Sequence, residues 1–156
     1  MSVVGHDATP AARVRKRSKF WTIVTASGVG IIGGAFCGFV IMGLFALANN
    51  PPVDATNVFG AGLIGAVFGA PFGLFAFPAC YLSICGDVPT LRVAAYAVPA
   101  TIIGGVLWMV LISSFGAPFE NQASSFWLDI YSGGLLGLLI ACIALRIAST
   151  RSRRSR

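Results

Sequence analysis

The groups able to do chemistry in this chain are few: one histidine, His6, four cysteines at positions 37, 80, 85 and 142, and five carboxylates. His6 stands in a polar N-terminal stretch, so neither a Ser–His pair nor an H-E-x-x-H metal site can be assembled around it. An intramembrane aspartyl pair needs two carboxylates at membrane depth. Only Asp129 comes near, and it reads as a charge in the first turn of a helix, where the dipole favours an anion. The cysteines form no C-x-x-C pair, the spacing that membrane thiol oxidoreductases use, and read as small apolar packing residues. Cys85, close to an expected interface, is a secondary candidate for palmitoylation. No catalytic residue, metal site or cofactor is therefore expected, and the chain is not read as an enzyme.

Two stretches, Gly28-Val29-Gly30-Ile31-Ile32-Gly33 and Gly60-Ala61-Gly62-Leu63-Ile64-Gly65, match the G-x-G-x-x-G dinucleotide fingerprint. That fingerprint requires a strand before it, a helix after it and an acidic residue further on. Both matches instead lie inside long apolar runs without such a residue, so no nucleotide is expected.

The glycines have a second regularity. Gly30, Gly34 and Gly38 recur every four residues, as do Gly65, Gly69 and Gly73, with a weaker series at Gly133, Gly137 and Ala141. That spacing puts each set on one side of a helix, where the missing side chain lets another backbone approach closely. Packing within one bundle is one reading; the other is a small-residue face turned outward to join subunits.

Helices that carry such faces must be positioned by lipid. Hydrophobic residues make up 56% of the chain and charged residues 10%, against roughly 45–50% and 25% in soluble domains. At 156 residues one domain is expected. The pattern predicts an all-α polytopic membrane protein, a four-transmembrane-helix bundle with glycine-rich helix faces. Its spans fall at about 20–48, 58–84, 90–115 and 126–148, flanked by a disordered basic arm over 1–19 and a basic tail over 149–156. The first span, about 43 Å at 1.5 Å per residue, exceeds the roughly 30 Å hydrocarbon core and must tilt or project. Phe20 and Trp21 suit its interface. Ala46-Leu47-Ala48 before Asn49 has the outline of a signal cleavage site, but the apolar run is nearly twice a 7–15-residue h-region, so retention is expected.

Between the spans, Asn49-Asn50-Pro51-Pro52 reads as a loop. Pro71 and Pro78 are expected to kink the second span. In the turn Gly86-Asp87-Val88-Pro89, Asp87 is expected to cap the third helix and Pro89 to open its first turn. A second loop carries Glu120, Asn121 and Gln122, and Ser124 or Ser125 is expected to cap the fourth span.

All eleven Lys and Arg lie on the N-terminal arm, the 86–92 turn or the C-terminal end. The positive-inside rule then expects both termini in the cytoplasm of a bacterial-type inner or plasma membrane. Arg13, Arg15, Lys16, Arg17, Lys19, Arg151, Arg153 and Arg154 are the expected membrane-surface residues, each worth about 1 kcal/mol against an anionic leaflet. The net charge of +6 is accounted for there, and no nucleic-acid partner or small-molecule ligand is expected. Ile31-Ile32-Gly33-Gly34 recurs as Ile102-Ile103-Gly104-Gly105, and Gly62-Leu63-Ile64-Gly65 as Gly134-Leu135-Leu136-Gly137. A duplicated helical hairpin would give that echo, as would composition alone.

Two functions fit these residues. One is an accessory or assembly subunit that packs against itself or other membrane proteins through glycine faces. The other is a passive channel or small transporter subunit, lined by Thr22, Thr25, Ser27, Thr101, Ser113 and Ser114 near the helix-opening prolines. Asn57-Val58-Phe59-Gly60, followed by Gly65, is similar to the second-helix motif of the small fluoride channels, also four-helix proteins. The arginine of that family's first helix and its third-helix Thr/Phe/Ser motif are missing, so the resemblance is not adopted. The accessory role is the primary expectation.

Overall fold

The computed structural model describes residues 19–49, 54–114 and 123–154. Every described element is helical: α1 (Lys19–Asn49), α2 (Ala55–Ile84), α3 (Thr90–Ser114) and α4 (Ala123–Arg154). Each contains a stretch long and apolar enough to cross a bilayer: Lys19–Ala48, Ala55–Ile84, Thr90–Ile112 and Leu128–Ser152. Where water is excluded, a helix satisfies its own backbone, so four unbroken helices are the form such a sequence must take. The fold is an all-α, multi-pass membrane bundle.

α1 packs along α2 and α3 along α4, forming two hairpins that meet through α1–α3 and α2–α4 contacts. α2 and α3, although consecutive, stand diagonally across the bundle. The turn between them is closed from inside. Val88 N–H donates to the Cys85 carbonyl at 2.8 Å, and the buried Tyr81 hydroxyl donates to the Val88 carbonyl at 2.9 Å. The buried core gathers at this end, where Ala26, Phe77, Tyr81, Cys85, Val93, Ala97, Leu138 and Cys142 form one cluster. The outer surface is apolar as lipid requires: Ile32 and Phe75 are each 72% exposed.

Local chemistry departs from expectation at several helix ends. α2 begins three residues before the expected Val58, because Asp54 caps it: its Oδ1 accepts from Thr56 N–H at 3.0 Å. Asp87 does not cap α3; its carboxylate accepts from Arg146 Nη1 at 3.2 Å. The Pro89 carbonyl accepts instead, from the N–H groups of Arg92 and Val93. α4 begins at Ala123, placing Ser124 and Ser125 inside it and Asp129 beyond its first turn. The same helix runs to Arg154, well past Ala148. α2 passes through Pro71 and Pro78, and α3 through Pro99, without ending. The arm with His6, Arg13, Arg15, Lys16 and Arg17, and the loop residues Glu120, Asn121 and Gln122, lie outside the described residues.

Candidate functional site: the glycine contacts between helices

The hairpin α1–α2 is held at three levels by glycine facing glycine. A Cβ added to Gly30 would strike the carbonyl oxygen of Gly73, one on Gly34 that of Gly69, and one on Gly38 that of Gly65. The relation is reciprocal: a Cβ on Gly73, Gly69 or Gly65 would strike the carbonyl of Gly30, Gly34 or Gly38. Each four-residue step along α1 is answered by a four-residue step back along α2, so the two main chains run in antiparallel contact. Backbone approach of this kind lets Cα–H groups meet carbonyl oxygens and maximises dispersion where no hydrophobic drive operates between helices. At the far end Phe39 and Phe59 close the seam edge to face, their centroids 5.8 Å apart.

The hairpin α3–α4 repeats the device with fewer glycines. A Cβ on Gly104 would strike the carbonyl of Gly133 and lie 3.0 Å from Gly137 Cα; one on Gly137 would strike the carbonyl of Ala100. Gly133 also lies under Trp108, whose Cγ would be 2.8 Å from an added Cβ. Gly133 and Gly137 were identifiable from spacing. Their partners Ala100 and Gly104 were missed, although Ala100-x-x-x-Gly104 is itself a small residue four before a glycine.

Other glycines serve the contact between hairpins. A Cβ on Gly33 would lie 3.2 Å from Val98 Cγ2 of α3, and one on Gly105 would lie 2.8 Å from Ile41 Cδ1 of α1. In the Gly33-Gly34 and Gly104-Gly105 pairs, one glycine thus faces the hairpin partner and the other faces across. The roles are exchanged between the two copies of the Ile-Ile-Gly-Gly echo, whereas Gly65 and Gly137 of the second echo keep theirs. Gly28 and Gly60 have nothing within 4 Å of an added Cβ. They are also the leading glycines of the two apparent fingerprints, which lie within α1 and α2 with no strand before them among the described residues.

A half-open cavity of about 30 Å³ lies between the helices, bordered by Gly30, Gly34, Cys37, Phe77, Val98 and Thr101, among others. That is about the share of liquid volume one water occupies. Of the hydroxyl side chains expected along a pore, Thr101 is the one that borders it among those described. Thr25, Thr101 and Ser114 donate to carbonyls of their own helices. No group of three metal-ligating side chains occurs among the described residues. Cys37, Cys80, Cys85 and Cys142 are all reduced and buried. Cys85 is fully buried with Sγ 3.2 Å from the Cys142 carbonyl, leaving no exposed surface for acylation. Burial pushes the Cys85 thiol above its ordinary range, against the opposing pull of Cys142 and the Arg146 charge.

The described basic residues collect at one end of the bundle. Lys19 opens α1, Arg92 lies in the first turn of α3, and Arg146, Arg151, Arg153 and Arg154 lie in the last turns of α4. The antiparallel pairing of each hairpin brings these ends together. Asp54 marks the opposite end.

Comparison with protein-family models, with curated proteins and with solved structures finds no match for this chain. What the fold defines is a class, the small multi-pass membrane bundle.

Proposed function

We propose that this protein is a non-catalytic accessory or assembly subunit of a bacterial-type inner or plasma membrane, with its basic ends in the cytoplasm. Glycine zippers fix its two hairpins, and its outer surface meets itself or another membrane protein. The observation that carries this reading is how the small faces are used. The glycines of all three series are taken up inside the hairpins, leaving contacts with other proteins to large apolar side chains.

One such surface stands out. Between α2 and α4 an open apolar groove of about 540 Å³ is lined by Phe68, Pro71, Phe72, Phe75, Ala76, Tyr131 and Leu135. Phe72 stacks on Tyr131 at its floor, with centroids 4.8 Å apart. Its walls suit a partner helix or a second copy of the chain. The passive pore is not favoured by the hydroxyls of Thr25, Thr101 and Ser114, which bond to their own helices.

The test is co-purification in mild detergent, with wild type compared against Phe75→Ala together with Leu135→Ala. A stoichiometric partner, or a self-associated species, held by wild type and lost by the variant supports the reading. Solute flux through purified protein in liposomes, with a monomeric mass in detergent and no partner, would replace it by the pore.

A further inference from the structure

At the basic end of the bundle, a polar cleft of about 180 Å³ lies between the α2–α3 turn and the last turns of α4. It is lined by Asp87, Val88, Pro89, Arg92, Arg146, Ser149 and Thr150. We propose that this cleft binds the phosphate of an anionic membrane-lipid headgroup, held between Arg92 and Arg146.

The charges come from two elements and converge on one space. Asp87 accepts from a single nitrogen of Arg146, at 3.2 Å. A guanidinium carries five N–H donors in a planar fork, so Arg146 keeps donors for a second anion while Asp87 holds it in place. The Arg92 side chain has no hydrogen bond or ion pair among the described residues, so its donors face the cleft without a protein partner there. With two arginines against one aspartate, the cleft carries a net positive charge. The first turn of α3, which Arg92 occupies, adds the partial positive charge of a helix N-terminus.

The surroundings favour a lipid over a free anion. Leu91, next to Arg92, is 78% exposed, and Ile147, next to Arg146, is 61% exposed. Both belong to helices long and apolar enough to cross a bilayer, so this end of the bundle lies within reach of lipid. Its volume equals several waters, enough for a phosphate diester. Basic pockets between helices at a membrane interface are a recurrent way to hold such headgroups.

The test uses native mass spectrometry of the full-length protein after exchange into detergent containing phosphatidylglycerol or phosphatidylcholine. Wild type is expected to retain one phosphatidylglycerol and at least tenfold less phosphatidylcholine. Arg92→Gln with Arg146→Gln should lower phosphatidylglycerol retention about tenfold. Arg153→Gln with Arg154→Gln, which removes the same charge from the C-terminal tail, should lower it by less than the cleft pair does. Arg92→Lys with Arg146→Lys retains the positive charges and guards against misfolding; its retention should fall between wild type and the glutamine pair. Equal loss in the cleft and tail variants would reduce the effect to general surface attraction and overturn the site. Equal retention of both lipids would also overturn it. Inorganic phosphate displacing the lipid at matched concentration would assign the cleft to the free anion and overturn the lipid as its ligand.

Discussion

Gly34 and Gly69 stand back to back in the middle of the α1–α2 seam, each occupying the space that a side chain on the other would need. Neither neighbour can yield, because what each would meet is main chain.

Substitution there should therefore act at full strength. Gly34→Ala or Gly69→Ala is expected to destabilise by about 1–3 kcal/mol, the usual range for overpacking, and leucine by more. Gly28→Ala and Gly60→Ala, with open space around them, should fall within about 0.5 kcal/mol of wild type or stabilise through helix propensity. Reversible unfolding in mixed micelles separates the two sets. Equal effects at all four sites would show that backbone contact is not what limits residue size.

Tyr81→Phe removes the hydroxyl that donates to the Val88 carbonyl and leaves that buried acceptor unmet. A loss of about 1–3 kcal/mol is expected, measured by the same unfolding assay.

The ion pair of Asp87 and Arg146 should count for less, since its side chains are 64% and 45% exposed. Asp87→Asn is expected to cost under about 1 kcal/mol, and added salt should shrink the difference further.

Cys85 offers a pH test with a defined sign. Its folded thiol is raised by burial, so the folded state holds its proton where the unfolded state releases it. This contribution is complete below the ordinary thiol range and is lost as pH rises toward the folded value. Thermal melts in detergent should fall more steeply above that range for wild type than for Cys85→Ala. A maleimide should label native protein at this site only on unfolding.

Orientation supplies a fifth test. Changing Arg13, Arg15, Lys16, Arg17, Lys19, Arg151, Arg153 and Arg154 to glutamine should scramble insertion, read by tags on the two termini. A uniform orientation in that variant would show that charge bias does not set it.

The four helices were legible because long runs without charge leave the backbone no other solution in lipid. Their ends were less so. Asp87 has the composition of a cap, yet a cation more than fifty residues away takes its carboxylate, and only the fold brings Arg146 there. α4 runs through Ser149 and Thr150 to Arg154 because residues that favour water are not residues that refuse helix. The glycine spacing identified which residues are small but not whom they meet. Gly30 and Gly73 are equal members of their series in sequence, and pairing them needs the register of the hairpin. Ala100 stands outside any glycine series, although alanine opposite Gly137 serves the same end.

The seam between α1 and α2 also limits how this sequence can change. In an ordinary core, a residue that grows can be accommodated by one that shrinks across from it. Here both sides already carry the smallest residue there is, so no second-site replacement has anything left to trim. The seam can vary only by parting, and selection at Gly34 and Gly69 must act on each position alone.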